Sequence, residues 1–342
     1  MRKTICLLLA LGLLLSLTGC GGAEPAPTPE PTPEPTATPE PTAAADMEWG
    51  FFREGTAYEG RYTGALLHGR PEGQGVFTGA DAAGELFSWE GGWSEGSPAG
   101  DGTMALEGCT AVCENVPTVG VYTGRGRGGV PEGEGTFTAA DMDGVTFTYT
   151  GHWAAGAMDG QGTLCWASEN RYVRSGTFTA GSFTPTWLEA LETIGTYAPR
   201  FTLSEAQRSF IGEHPELWER ETHQNYLKSE YRKTYNKSLL LRKCFEKPEL
   251  IEEPCWIGMT SLRVLRAYTV RLGEHGFTCI TAADGSYAYP VRLILPDMVE
   301  GLRRGQRFHA YAMPIAFGEY TTVNGADQTC LVLLAGDVHI SQ

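Results

Sequence analysis

Four stretches of the chain repeat one arrangement of large apolar, small and polar positions. An aromatic residue is followed by Gly at +2, an apolar residue at +4, Gly at +7, +11 and +13, and an apolar residue at +15. The first runs Tyr62, Gly64, Leu66, Gly69, Gly73, Gly75, Phe77, and the second Trp89, Gly91, Trp93, Gly96, Gly100, Gly102, Met104. The third is Tyr122, Gly124, Gly126, Gly129, Gly133, Gly135, Phe137, with Gly126 where the others have an apolar residue; the fourth is Tyr149, Gly151, Trp153, Gly156, Gly160, Gly162, Leu164. A degenerate fifth starts near Arg174 with Gly176, Phe178 and Gly181, and has Pro185 where the next Gly belongs. Side chains alternate along a strand, so +0, +2 and +4 share one face, as do +11, +13 and +15. Glycines at +7 and +11 bracket the segment in which the chain is expected to reverse. Each unit is thus predicted to be a β-hairpin that lays rings over the bare backbone of its neighbours. A single hairpin is marginal, so the units must stack. Tyr62 to Tyr122 and Trp89 to Tyr149 are both 60 residues apart, which reads as a duplicated pair of units.

After Trp187 this pattern stops. Residues 202–212 carry a capping box, Ser204 with Gln207, and Gly212 as a stop signal. A longer helix is predicted over 215–245: Pro215 at its first turn, acids early, Lys237, Arg242 and Lys243 late, and Leu227, Tyr231, Tyr235 and Leu239 as an apolar stripe that packs on the next domain. From about Cys255 the pattern predicts strands at 259–270, 277–282 and 287–295, a short helix near 297–304, then strands at 306–317 and 329–340. That order resembles an OB (oligonucleotide/oligosaccharide-binding) barrel, with Leu302 to Tyr311 leading into its fourth strand. Arg263, Arg266, Arg271 and Arg292 fall on these strands, where alternation favours a solvated outer face over a basic binding face.

The first residues have another character. Met1-Arg2-Lys3 precedes an apolar run from Ile5 to Leu17 and then Leu17-Thr18-Gly19-Cys20, the layout of a secretory signal too short for an ordinary membrane-spanning helix. Leu17 to Cys20 resembles the bacterial lipobox, which implies cleavage before Cys20 and lipidation of that residue. Two or more acyl chains then give stable membrane anchoring. Residues 21–46 hold eight prolines, no aromatic residue and no positive charge, so they are expected to form a disordered, extended stalk.

The hairpin units resemble MORN (membrane occupation and recognition nexus) repeats over about residues 58–183. The resemblance implies a single antiparallel sheet of successive hairpins serving as a scaffold or interaction module; it does not imply a catalytic activity. Charge narrows the partners. Residues 49–186 hold seven Arg, no Lys and sixteen acids, so the array repels anionic headgroups and nucleic acid and is more compatible with a cationic or neutral partner. Composition agrees with the repeat: 29 of the 44 glycines lie between Gly50 and Gly181, the span in which the hairpins need them.

Candidate chemistry is sparse. With Cys6 removed and Cys20 lipidated, seven cysteines remain: Cys109, Cys113, Cys165, Cys244, Cys255, Cys279 and Cys330. The number is odd, and Cys109 and Cys113 are either a local bridge or separate thiols. Metal-ligand spacings, nucleophile motifs and a phosphate-binding loop are absent from the sequence, so no metal, cofactor or catalytic residue is assigned. Asp81 and Asp141 occupy equivalent places in the duplication and read as turn residues. The expected chain is mainly β: signal peptide 1–19, lipid-anchored stalk 20–48, hairpin array 49–186, helical connector 187–249 and an OB-like α+β domain 250–342. Its expected role is a non-enzymatic, membrane-tethered, extracytoplasmic binding or scaffold lipoprotein with an unknown protein or envelope partner. The alternative is a cell-envelope enzyme or ligand-binding domain with its site in 250–342.

Overall fold

The computed structural model describes residues 40–106, 120–218 and 238–340, apart from 142, 169, 170, 198, 286, 287, 323 and 324. The predicted signal, Cys20, most of the stalk, Cys109, Cys113 and positions 219–237 of the long predicted helix lie outside the described residues.

The repeats form one antiparallel sheet of eleven strands in chain order. These are β1 (Thr42–Arg53), β2 (Thr56–Leu67), β3 (Arg70–Asp81), β4 (Leu86–Ser94), β5 (Ser97–Leu106), β6 (Gly120–Arg127), β7 (Val130–Ala140), β8 (Thr146–Ala154), β9 (Ala157–Trp166), β10 (Arg174–Thr179) and β11 (Ser182–Phe183). The reversals are tighter than the spacing suggested. Two-residue turns at Glu54-Gly55, His68-Gly69, Glu95-Gly96, Gly128-Gly129, Ala155-Gly156 and Ala180-Gly181 have positive φ at both positions, the type I′ geometry whose twist matches the flanking strands. The chain therefore turns at +6/+7. Gly at +11 instead sits inside the returning strand with φ of 72–83° at Gly73, Gly100, Gly133 and Gly160. There Gly64 pairs Gly75 while Leu66 pairs Pro71, so three residues of β3 oppose one of β2, a bulge.

The first strand corrects the stalk boundary. Residues 42–44 and 47–48 pair with β2 on either side of a register shift, because Met47, Trp49 and Phe51 alternate onto the ring face and the free edge of β2 accepts their backbone. β1 also reaches far along the array: Trp49 donates to the Gly96 carbonyl (2.8 Å) and Arg53 Nε to that of Gly129 (2.9 Å). The sheet thus curls around its ring face. Turns stack on the same side, since Gly96, Gly128, Gly156 and Gly181 donate their amides to the carbonyls of Pro71, Pro98, Pro131 and Met158 of the preceding unit.

Beyond the array, α1 (Trp187–Gly195) opens with a capping box of Thr186 and Glu189, and α2 (Glu205–Glu213) with the expected box of Ser204 and Gln207. Gly212 lies within α2 rather than ending it. The predicted 215–245 helix is broken among the described residues. Pro215–Leu217 is a single 3₁₀ turn, Ser238–Leu239 is a strand (β12), and α3 spans Leu241–Glu246. β12 pairs in parallel with Trp256 and Ile257, so backbone pairing to the last domain overrides the local helical pattern.

That domain contains β13 (Trp256–Leu272), β14 (His275–Ala283), β15 (Val291–Leu295), β16 (Arg307–Thr321) and β17 (Asp327–Ile340). Pairing runs β13-β14-β15-β17-β16 and returns from β16 to β13, closing a ring in which β15 and β17 are parallel. The helix expected near 297–304 is absent. Gly301 and Gly305 have positive φ, and the Thr278 hydroxyl holds the loop by donating to the Asp297 carbonyl (2.6 Å) and accepting from the Val299 amide (2.8 Å). Ile257, Val264, Ile280, Leu293, Phe308 and Leu333 fill the ring's interior. Its outer face on β14, β15 and β17 packs on Leu191, Ile194, Ile211 and Trp218, so the predicted connector is part of this domain's core.

Candidate interaction surface

The repeat residues divide by task once their pairings are read together. Gly64, Gly75, Gly91, Gly102, Gly124, Gly135, Gly151, Gly162 and Gly176 stand directly opposite one another, an unbroken glycine row across β2 to β10. On one side of this row lie the rings. Tyr62, Trp89, Trp93, Tyr122, Tyr149 and Trp153 are all buried, and a Cβ at Gly75, Gly135 or Gly162 would collide with the ring of Tyr62, Tyr122 or Tyr149. The remaining repeat glycines serve the turns (Gly69, Gly96, Gly129, Gly156) and the bulges (Gly73, Gly100, Gly133, Gly160).

The ring at +0 is Tyr or Trp in each of the four full units, and the structure gives the reason. Tyr62 donates to the carbonyl of Ala65 (2.8 Å), Trp89 to Gly92 (2.8 Å), Tyr122 to Arg125 (2.8 Å) and Tyr149 to His152 (3.0 Å), always three residues on. The bulge interrupts the ladder at that carbonyl, and the polar tip of the ring supplies the donor. Burial raises the phenol pKa of Tyr62 and Tyr122, so both remain neutral donors. Trp93 and Trp153 at +4 donate to the carbonyls of Gly75 (3.2 Å) and Gly135 (3.3 Å) of the preceding unit.

With the rings consumed by packing, the opposite face carries the exposed functional groups. A second row, one residue off the glycines, reads Thr63, Val76, Glu90, Thr103, Thr123, Thr136, Thr150, Thr163, Ser175 in successive pairings. Its hydroxyls bond in pairs: Thr103 with Thr123 (3.2 Å), Thr136 with Thr150 (3.2 Å) and Thr163 with Ser175 (2.6 Å). Over β2 to β6 this face sinks into an open trough of about 770 Å³, floored by the backbone of five row glycines and walled by Thr63, Gln74, Glu90, Asp101, Thr103 and Thr123. Among the described residues, the charged ones lining it are acids, Glu90 and Asp101. The hydroxyl row was missed from the sequence, although Thr at +1 or +14 in most units was a readable signal.

Asp81 and Asp141 are turn residues. Each accepts two amides through Oδ1, Ala83 (2.9 Å) and Glu85 (2.8 Å) for one, Asp143 (3.0 Å) and Val145 (2.9 Å) for the other. Cys165 is exposed, Cys244, Cys255, Cys279 and Cys330 are buried, and burial pushes the thiols of Cys279 and Cys330 up, the latter to about 11. At neutral pH these two are packing groups rather than nucleophiles. Among the described residues no three His, Cys, Asp or Glu side chains converge as metal ligands would.

Comparison with known proteins agrees with the hairpin geometry. The MORN repeat family matches residues 62–82, 120–141 and 149–171, so the chain carries MORN repeats. The unit at 89–104 lies outside those matches yet has the same Gly91–Gly102 pairing, bulge and ring-to-carbonyl bond. No curated protein matches the chain.

Proposed function

We propose that this protein is a membrane-tethered, extracytoplasmic scaffold lipoprotein whose MORN array binds a neutral or cationic protein or envelope component along the trough on its outer face. MORN repeats are generally involved in protein or membrane interaction. The observation that carries the choice of surface is the division of the sheet: one face is spent on its own rings, and the other offers hydroxyls and two carboxylates in a trough. Net acidity makes an anionic headgroup a poor occupant. The tether rests on the sequence alone, on the apolar leader and Cys20. The strand ring β13-β14-β15-β17-β16 supports the reading of the last domain as OB-like.

Two measurements test this separately. Cys20→Ala in the full chain is expected to move the protein from the membrane to the soluble fraction; unchanged fractionation removes the lipid anchor. The trough is tested by capture of envelope components on the full chain and on its Glu90→Lys/Asp101→Lys variant. Loss of the captured partner in the variant supports the trough, and equal capture excludes it.

A further inference from the structure

The strands of the last domain place two arginines on one ring, and among the described residues no acid is paired with them. Arg266 on β13 and Arg292 on β15 both pair with Thr281 of β14, so they lie in one cross-strand row on the outer face of the ring. Their guanidinium carbons are 5.7 Å and 5.4 Å from the centroid of the Tyr268 ring. Arg292 is not the solvated residue that strand alternation suggests: it is only 9% exposed, and its buried Nη1 has no hydrogen-bond partner among the described residues. Among those residues neither arginine forms an ion pair.

The titratable groups on which the charge of Arg292 acts are neutral. The charge of Arg292 is felt by Tyr268, Cys279, Tyr320 and Cys330, and Tyr268 is hydrogen-bonded to Tyr172 of the β9–β10 connection. Burial keeps all four groups that Arg292 influences protonated at neutral pH, so none of them neutralises the guanidinium. Two cations sharing one ring repel each other, and a buried N–H without an acceptor loses its hydration with nothing in return. Among the described residues nothing supplies the negative charge that the pair calls for.

We propose that Arg266, Arg292 and Tyr268 form a binding site for a tetrahedral oxyanion, a phosphate or sulfate group, at the junction of the array with the last domain. Two guanidiniums on one row offer donors from different directions, which suits oxygens pointing to the corners of a tetrahedron. A planar carboxylate would engage one fork edge-on and leave the other arginine unmatched. Exposed Arg266 forms the mouth of the site and Arg292 its floor.

The test is calorimetric titration of the full chain with inorganic phosphate, sulfate and acetate at low ionic strength. Saturable binding of phosphate or sulfate is expected, weakened at least tenfold by Arg292→Met and by Arg266→Gln. Absence of saturable binding to the unaltered chain overturns the proposal, as does binding that neither arginine variant weakens. Acetate binding as tightly as phosphate overturns the tetrahedral assignment. Should Arg292→Met fail to give the circular dichroism of the folded chain, Arg266→Gln, at an exposed position, carries the test alone.

Discussion

At the scale of single residues, the glycines of one repeat answer to three different physical demands, and each predicts a different response to alanine. At Gly135 the demand is space, since a methyl group would strike the Tyr122 ring. Gly135→Ala is therefore expected to cost about 1–3 kcal/mol, the usual penalty for overpacking, in denaturant unfolding. Its neighbour Thr136 faces outward, and Thr136→Ala should stay within about 0.5 kcal/mol. A similar loss in both variants would mean that the ring does not lie over the row. The rings have a residue-level logic too. Tyr122 and Tyr149 are fixed by their hydroxyls on carbonyls freed by the bulges, which is why these positions hold Tyr or Trp while the apolar +15 positions accept Phe, Met or Leu.

At the scale of the element, the hairpin turns show where local preference is unmet. Ala155 sits at φ 47° in the first position of a type I′ turn, a conformation that costs an L-residue with a Cβ roughly 1–2 kcal/mol. Asn tolerates it far better, so Ala155→Asn should raise stability by about 0.5–1 kcal/mol in thermal or denaturant unfolding. A fall in stability would contradict the assigned turn. Elements were legible in the sequence to the extent that their signals were local. The alternation of rings and glycines gave the hairpins, and Ser204 with Gln207 gave the start of α2. The turn position was misjudged because Gly at +7 and at +11 look alike in sequence, yet one closes a turn and the other opens a bulge. The predicted helix over 215–245 failed at Ser238-Leu239 because pairing with β13, set by residues far along the chain, outweighs a helical stripe.

At the scale of the whole molecule, the array is joined to the first helix of the connector through Glu189. Its carboxylate accepts from the Thr186 amide (2.7 Å), the Thr177 amide (3.3 Å) and Gln161 Nε2 (3.3 Å), tying the first turn of α1 to β9 and β10. Partial burial opposes the charge, but these hydrogen bonds outweigh it and hold the Glu189 pKa below the ordinary value. A pKa lowered in the folded state means stability that is fully present above the unfolded value of about 4.3 and is lost as pH falls through the native value. Melting temperature should therefore drop on acidification below about pH 4.3, and Glu189→Gln should melt lower than the unaltered chain at neutral pH with a shallower acid decline. An identical pH profile in the variant would remove Glu189 from the junction. His275 reinforces the same joint, with Nε2 3.0 Å from the Pro185 carbonyl, and Trp187 packs on Phe277.

The sequence by itself determined the β character, the repeat and the pairing of rings with glycine, because each arises from contacts between residues close along the chain, and the sign of the array's charge, because that is a sum over residue types. Tertiary structure alone decided which face of the sheet is left exposed: burial of the rings depends on the curl that brings β1 across to distant turns. It decided the fate of Arg292 as well. Strand alternation puts that side chain outside the ring of strands, yet it is buried there beside Tyr268, which bonds Tyr172 of the array's last connection, and a surface charge thereby becomes one that calls for an anion.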